Sequence, residues 1–257
     1  MRIERMAFRP ATTTVDEVLS ATKNLKPDSP ALEAWHASFT MNHAARIALD
    51  LELVRKYAST QDSILEVGSI PLFLTASLIR SGYQIVGCDI APERYGTAIK
   101  QYGIDVRKCD IEKENLPFPE NSFDIVVFNE LFEHLRINPI YTMSEVLKVL
   151  KPNGRLILTT PNLRSLAGLR NFLLHNRAYS CTGNIYDEYE KLTKIGHMGH
   201  VREYTTTEVC DFLSRVGFQP EKIFFRGDLG NRIEKLLVRA FQKLRPFATY
   251  IATKPIS

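Results

Sequence analysis

The residues of this chain best suited to chemistry lie at the ends of two apolar stretches. Ile64-Leu65-Glu66-Val67-Gly68-Ser69 joins an apolar run to an acid and a glycine, and Ile85-Val86-Gly87-Cys88-Asp89 ends in a second acid. With a helix between them, the two stretches have the sequence form of a β-α-β nucleotide site. The glycine lets the main chain approach a ligand, the helix start favours a negative group, and Asp89 can hold the two hydroxyls of a ribose.

Alternating strands and helices must position these residues. Aliphatic runs bounded by turn residues predict strands at 62–67, 84–88, 104–107, 123–128, 154–160, 218–225 and 247–253. Helices are predicted at 71–81, 92–101 and 138–150. The strands are continuously apolar, which is typical of a parallel sheet covered on both faces, and right-handed crossovers then make an α/β, doubly wound fold.

The strands and helices divide the chain into a helical N-terminal segment, 1–60, and an α/β domain, 61–257. The α/β rhythm is interrupted at about 161–204, where a long insertion is typical of a lid or a binding loop. Thr205-Thr206-Thr207-Glu208 is a capping-box pattern, which predicts that a helix restarts there and ends near Gly217.

Composition indicates an ordinary globular protein. The chain has 257 residues, of which 44% are hydrophobic and 24% charged, with a net charge of +4. This mild surplus does not by itself favour nucleic acid as a partner, because a nucleic-acid face needs clustered charge. The four cysteines have no CxxC spacing, and neither a signal-peptide core nor a long apolar run is found. We therefore expect reduced thiols and a cytoplasmic location.

Several motifs in order along the chain carry a resemblance to a known family. They are Ile64-Leu65-Glu66-Val67-Gly68, Cys88-Asp89-Ile90, Cys109-Asp110-Ile111, Leu116-Pro117-Phe118 with Ser122-Phe123-Asp124, Glu133-His134-Leu135 and Leu150-Lys151-Pro152-Asn153-Gly154. In this order the chain resembles the class I S-adenosylmethionine-dependent methyltransferases, in particular the small-molecule and glycan-associated type. The similarity covers 62–160 well and 199–253 more loosely. It implies a Rossmann-like, mostly parallel seven-stranded sheet with helices on both faces.

The resemblance also implies a cofactor site for S-adenosylmethionine, with S-adenosylhomocysteine as product. It assigns Asp89 to the ribose, Asp110 to the adenine amine, and Glu66 to the neighbourhood of the methionine amino group. The full predicted set is Glu66, Gly68, Ser69, Asp89, Ile90, Asp110, Ile111, Asn129 and Leu131. The structural alternatives are a turn-capping role for Glu66, a helix-capping role for Asp89 and a loop-starting role for Asp110.

The glycine loop departs from the family pattern. Two further glycines usually follow at alternate positions, whereas this chain has Ser69-Ile70-Pro71-Leu72. Ile70 and Leu72 restrict the main chain and would bring side chains into the space beside the ligand. The departure keeps a second interpretation open, that of a methyltransferase-like binding or regulatory protein without activity.

His134 is the predicted general base. It follows the fourth strand of the predicted sheet, and the ordinary pKa of an imidazole suits removal of a proton at neutral pH. The alternative is a structural histidine that orients this loop, with Glu133 in a supporting role.

The insertion ends in a second polar cluster, 196–204. His200, Arg202 and Tyr204 alternate, so an extended segment would place them on one face, and we predict that they bind the acceptor. The alternative is a surface loop without substrate contact. No metal site is predicted, because His197 and His200 have no third ligand that the sequence can place.

The C-terminal part is basic, with seven Lys or Arg against two acids from Arg226 onward. Its apolar residues have helical spacing, which is typical of a helix that packs on the sheet or rests on an anionic membrane. We expect packing on the sheet in the first place, with weak peripheral membrane association as the alternative.

These motifs together predict methyl transfer to a small molecule or a sugar, at oxygen rather than nitrogen. A nucleic-acid methyltransferase is the less favoured alternative, because the surplus charge lies in the C-terminal part and not beside the predicted pocket. No oligomeric state is predicted.

Overall fold

A single eight-stranded sheet forms the centre of the molecule. The computed structural model describes residues 2–5, 9–177, 184–195, 199–227 and 231–256. The strands are β1 (Arg2–Glu4), β2 (Ser63–Val67), β3 (Gln84–Asp89), β4 (Val106–Lys108), β5 (Phe123–Asn129), β6 (Leu150–Pro161), β7 (Gln219–Arg226) and β8 (Phe247–Thr253). Their spatial order is β1-β7-β8-β6-β5-β2-β3-β4.

Helices cover the two faces of this sheet. They are α1 (Thr12–Thr22), α2 (Glu33–Tyr57), α3 (Phe73–Arg80), α4 (Gly96–Tyr102), α5 (Pro139–Val149), α6 (Leu166–His175), α7 (Ile185–Ile195), α8 (Thr206–Val216) and α9 (Arg232–Ala240). Short 3₁₀ helices span Pro30–Leu32, Pro92–Tyr95, Phe132–His134 and Gln242–Leu244.

The sheet is mostly parallel, with one antiparallel strand, and an apolar core lies on each face. Strands β2 to β6 are parallel to one another, whereas β8 is antiparallel to both β6 and β7. Two apolar cores result. One contains residues of α5 and α8, such as Met143 and Leu213, and the other contains residues of α1, α2 and α3, such as Val18, Leu51 and Leu78.

The predicted α/β, doubly wound architecture is confirmed, with one strand more than the seven expected. The extra strand is β1, which pairs parallel with β7 along Arg2↔Lys222 to Glu4↔Phe224. A three-residue edge strand has no detectable periodicity, which is why the sequence did not reveal it. The capping box before α8 is confirmed: the Thr205 hydroxyl accepts from the Glu208 N–H, and Gly217 ends the helix with φ +116°.

No helix in the described ranges is both long and apolar enough to cross a bilayer. Cys88 and Cys109 are buried thiols and Cys210 is half-buried, each without a disulfide, while Cys181 lies outside the described residues. Burial raises the pKa of Cys109 and of Cys210 to about 11, so both stay protonated at neutral pH.

Candidate functional site

A cavity of about 960 Å³ opens at the carboxyl ends of the parallel strands. This is the edge at which open α/β sheets bind ligands. One end of the cavity is formed after β2, β3 and β4, and we call it the cofactor end. The other end, formed by the turn after β5, the end of the insertion and the part of α2 around Arg46, is called the acceptor end.

Gly68 forms the turn at the cofactor end. Its φ of +75° lies in the left-handed region, and a Cβ there would come within 3.0 Å of the Leu131 Cδ2 atom. Its N–H donates to the Cys88 carbonyl at 2.8 Å, which ties the turn to the end of β3. Gly68 and Leu131 both line the cavity, so the absence of a side chain at 68 leaves room for a ligand.

Asp89 lies on the cavity wall at the tip of β3. One carboxylate oxygen accepts the Ile70 N–H at 3.1 Å, and the other accepts the Ala91 N–H at 2.9 Å. Burial raises the pKa of Asp89, and the two N–H donors oppose that rise. Each oxygen keeps capacity for a second hydrogen bond, so the carboxylate is held in place to accept from a pair of ligand hydroxyls.

The next strand end supplies the neighbouring wall. Ile90, Asp110 and Ile111 all line the cavity. One Asp110 oxygen accepts the Glu112 N–H at 3.2 Å and the other pairs with Lys113 at 2.8 Å. Asp110 therefore begins its own turn, which is the loop-starting role given above as the alternative. It also presents a hydrogen-bond acceptor to the cavity.

Three of the predicted cofactor residues lie behind this wall. Glu66, Ser69 and Asn129 are not among the lining residues. Glu66 accepts from the Thr75 hydroxyl of α3, which is the arrangement of its turn-capping alternative. Burial raises the pKa of Glu66 to about 8. The Ser69 side chain is buried beneath the turn, where a Cβ at Gly87 would meet its Oγ at 2.6 Å.

The unusual loop after Gly68 does not fill the cavity. Leu72 is fully buried in the core with Phe73 and Leu74, and only Ile70 reaches the lining. The expectation that both side chains would enter the ligand space is therefore wrong for Leu72. The left-handed φ of Leu72, +72°, accompanies this turn away from the cavity.

Two imidazoles and a carboxylate meet at the acceptor end. The His134 and His200 rings lie 4.7 Å apart between centroids and nearly perpendicular. Glu133 is fully buried, and its Oε1 lies 3.7 Å from the His200 Nε2 atom. Burial, followed by the His134 charge, lowers the pKa of His200 to about 4. Burial, followed by the nearby Glu130, raises the pKa of Glu133 well above its ordinary value.

The N-terminal helix α2 contributes a wall that the sequence analysis missed. Trp35, Phe39, His43 and Arg46 line the cavity, and Arg46 pairs with Glu130 at 3.0 Å. Burial lowers the pKa of His43 to about 4, so this imidazole is neutral at pH 7. These four residues recur at intervals of three or four, which puts them on one helix face and was the signal available in the sequence.

The predicted acceptor-binding face is not formed as expected. His200 and Glu203 line the cavity, whereas Arg202 and Tyr204 do not. Arg202 points outward and pairs with Glu208, and the Tyr204 ring packs on Phe132 at 4.8 Å. The segment is not simply extended, because the N–H groups of residues 201 and 202 both point to the Glu133 carbonyl, at 2.8 and 3.4 Å. His197 lies outside the described residues.

Comparison with known proteins identifies the central part of the chain. Residues 65–158 match a family described as "Methyltransferase domain". By this match residues 65–158 resemble a methyltransferase domain, and we refer to them by that name. The domain holds both strand-end acids, Asp89 and Asp110, as well as His134.

Two curated relatives match the methyltransferase domain. The biotin biosynthesis bifunctional protein BioHC of Cellvibrio japonicus is 31% identical over 107 residues, 42% of this chain and 21% of that protein. The demethylmenaquinone methyltransferase of Thermus thermophilus is 29% identical over 116 residues, 44% of this chain and 51% of that protein. The chain therefore spans about a fifth and about half of the lengths of these relatives.

A solved structure shares most of the fold. The SAM-dependent methyltransferase from Archaeoglobus fulgidus superposes with a TM-score of 0.57 at 17% identity, covering 84% of this chain and 99% of that one. The methyltransferase fold thus extends well beyond the segment that the family comparison matches.

S-adenosylmethionine is the cofactor of this domain class, and the residues present fit it. An adenosyl group offers two ribose hydroxyls and an exocyclic amine as donors, and Asp89 and Asp110 present carboxylate acceptors to the cavity. Gly68 leaves the wall open, and the side chain of Leu72 is directed into the core. The methyltransferase domain would hold the cofactor through Asp89, Ile90, Asp110 and Ile111.

Proposed function

We propose that this protein transfers a methyl group from S-adenosylmethionine to a hydroxyl oxygen of a small molecule or a sugar. The observation that carries the proposal is Asp89, whose carboxylate faces the cavity while two main-chain N–H groups hold its oxygens. Bound S-adenosylmethionine supplies an electrophilic methyl group on a sulfonium sulfur. The protein must then align an acceptor with that methyl group, which is worth about 7–11 kcal/mol in favourable cases.

The acceptor end has the features that alignment of a small hydroxyl compound requires. Polar groups of His134, His200 and Glu203 line this end, and the apolar rings of Trp35 and Phe39 provide contact area in another part of the same cavity, where Phe39 packs on Phe73. The acceptor must lose its hydroxyl proton at this end, and the sequence analysis predicted His134 as the general base that takes it. A positioned general base raises the reaction rate by about 10²–10⁴-fold. The neighbouring His200 imidazole is neutral, so it places no positive charge beside His134.

The insertion at 161–204 is proposed to cover the acceptor. Asn162, Lys191 and His200 come from this part of the chain and line the cavity. Closure of such a segment excludes water from the reacting groups.

The binding half of this proposal is tested by calorimetric titration with S-adenosylhomocysteine. Asp89→Ala should weaken binding at least tenfold, because charge-assisted hydrogen bonds of about 1.5–3 kcal/mol each are lost. Asp105→Ala is the matched control, since that carboxylate is about half exposed beside Arg107 and outside the cavity. No heat with the unmodified protein at millimolar ligand would favour the inactive binding protein instead. Equal affinity of the two variants would remove the ribose assignment.

We further propose that α6 and α9 rest on an anionic membrane surface. The expected packing on the sheet does not hold for most of the apolar face of α9, because Ile233, Leu236 and the following Phe241 are 61–70% exposed. Phe172, Leu173 and Leu174 of α6 are 66–76% exposed, and the Arg170–Glu234 ion pair joins the two helices. Apolar residues interleaved with Arg232, Lys235 and Arg239 are typical of interfacial helices.

Sedimentation with phosphatidylserine vesicles tests this surface. Leu236→Ser should reduce the bound fraction, with a partition coefficient roughly tenfold lower, because leucine burial is worth about 1.5–3 kcal/mol. Ile140→Ser serves as control, since Ile140 is 61% exposed but lies on α5. Equal sedimentation of the two variants, or a concentration-dependent dimer that Leu236→Ser disrupts, would contradict membrane docking.

A further inference from the structure

The turn after β5 and the end of the insertion bring three metal-ligating side chains together. One ligand atom from each of Glu133, His134 and His200 lies within 4.8 Å of the others. These residues belong to the acceptor end of the cavity, and His134 and His200 face its interior. The sequence placed no third ligand beside His197 and His200; in the structure His200 is joined by two ligands, Glu133 and His134, from the turn after β5.

Glu133 presents an unsatisfied oxygen to this cluster. The side chain has no exposed surface, and its Oε2 accepts the Thr160 hydroxyl at 2.9 Å. Its Oε1, which faces the His200 Nε2 atom, has no hydrogen-bond partner among the described residues. A buried carboxylate oxygen without a partner is costly, and a cation is one group that relieves this cost.

Charged groups of both signs adjoin the cluster. Glu130 lies close enough to Glu133 to act on it electrostatically, and its own Oε1 is also buried without a partner in the described part of the chain. Burial raises the pKa of Glu130, and the guanidiniums of Arg46 and Arg226 oppose this rise. The Asp50 carboxylate on α2 raises the pKa of Glu130 further. Glu133 itself is acted on by the Glu130 carboxylate and by the Arg46 guanidinium, whereas Asp50 and Arg226 act on Glu130.

The donor set and its spacing indicate the class of ion. Two imidazoles and one carboxylate suit zinc and related first-row divalent ions, and three protein ligands leave a coordination position open. Bonds of about 2.0–2.2 Å place ligand atoms roughly 3–4 Å apart around such an ion. The 3.7 Å between Glu133 Oε1 and His200 Nε2 lies in this range.

We propose that Glu133, His134 and His200 bind a divalent transition-metal ion whose open position faces the acceptor. Metal binding itself does not depend on methyl transfer; only the contact with the acceptor rests on the proposed function. In this arrangement His134 is a ligand, so the ion replaces it in the role of base that the proposed function gave it. An acceptor hydroxyl bound to the ion would release its proton to water more readily, because coordination lowers the pKa of bound oxygen.

Calorimetric titration of the chelator-treated, untagged protein with ZnCl₂ tests the site. We expect one strong site per chain, lost or weakened at least about 100-fold in His200→Ala, because even loss of a ligand's hydrogen-bond partner costs about 10–100-fold. His175→Ala is the matched control, since that exposed histidine lies on α6. Absence of zinc binding, or equal affinity of the two variants, would overturn the proposal.

Two further measurements keep this test separate from the proposed function. The visible spectrum of bound Co²⁺ should report nitrogen and oxygen ligation in the unmodified protein and change in Glu133→Gln, provided circular dichroism shows that variant to be folded. His200→Ala should keep its affinity for S-adenosylhomocysteine, and Asp89→Ala should keep its affinity for zinc. Loss of zinc binding in Asp89→Ala would mean that the ion does not sit at the acceptor end.

Discussion

The two ends of the cavity are assembled in different ways. At the cofactor end, Gly68, Asp89 and Asp110 lie at or just beyond the carboxyl ends of β2, β3 and β4, which are hydrogen-bonded neighbours in the sheet. At the acceptor end, side chains from α2, the turn after β5 and the segment after α7 meet across long sequence separations. Adjacent parallel strands make the first set close by necessity, whereas the second depends on how distant segments pack.

The electrostatics of the two ends differ as well. The Asp89 carboxylate accepts from main-chain N–H groups, which come with the local turns. Behind the acceptor end, buried acids are balanced by distant guanidiniums: Arg46 pairs with Glu130, and Arg226 pairs with Asp50. Stability should therefore be more sensitive to single charge removals behind the acceptor end.

Removal of Arg226 should have the largest effect on folding. Arg226 and Asp50 are both almost fully buried, and Arg226 also donates to the Thr159 hydroxyl at 3.0 Å. Arg226→Met leaves the Asp50 carboxylate without its partner, so the free energy of unfolding should fall by about 3–5 kcal/mol. Urea denaturation at pH 7 measures this loss.

Arg215→Met is the exposed counterpart, because Arg215 pairs with Asp211 on the surface of α8 with both side chains mostly exposed. It should cost less than about 1 kcal/mol. Similar losses for both variants would show that the buried pair is no more important than a surface pair. While folded, Arg226→Met should still bind S-adenosylhomocysteine normally, because neither Arg226 nor Asp50 lines the cavity.

A pH-dependent effect on stability is expected behind the cofactor end. Burial raises the pKa of Glu66 to about 8 from 4.5, so the folded protein holds this proton more tightly than the unfolded chain. The resulting stabilisation is complete below pH 4.5, declines across the window between these two values, and is lost as the pH rises through about 8. Its size is on the order of a few kcal/mol.

Urea midpoints measured between pH 4.5 and 9 test this expectation with Glu66→Gln. The variant carries no titrating group at 66, so its stability should decline less with pH than that of the unmodified protein. Glu33→Gln, at the exposed start of α2, should keep the original pH dependence. A decline of the same size in Glu66→Gln would refute the assignment of this titration to Glu66.

The contrast between adjacent strand ends at the cofactor end and distant segments at the acceptor end also explains which features the sequence could predict. Apolar runs that end in acids indicated β2, β3, β5 and the position of Asp89, because strand propensity and turn chemistry are local properties. The cap before α8 was equally local. The wall formed by α2 was missed because its residues were interpreted only through the apolar stripe from Ala44 to Val54.

Predictions that needed tertiary structure fared less well. Alternation along 200–204 suggested one shared face, but hydrogen bonds to the Glu133 carbonyl turn the segment so that Glu203 joins His200 while Arg202 points outward. Leu72 was expected beside the ligand, and the burial of its side chain among core residues could not be deduced from residue types.

Glu133 has a double attachment with a dynamic consequence. Its main-chain carbonyl accepts the Val201 N–H at 2.8 Å, while its carboxylate faces the His200 ring. Any outward swing of the segment that carries His200 must break the first contact and separate the second pair at the same time. Opening the cavity at this segment therefore also separates Glu133 from His200. The cluster of Glu133, His134 and His200 is complete only when the segment is closed over the cavity.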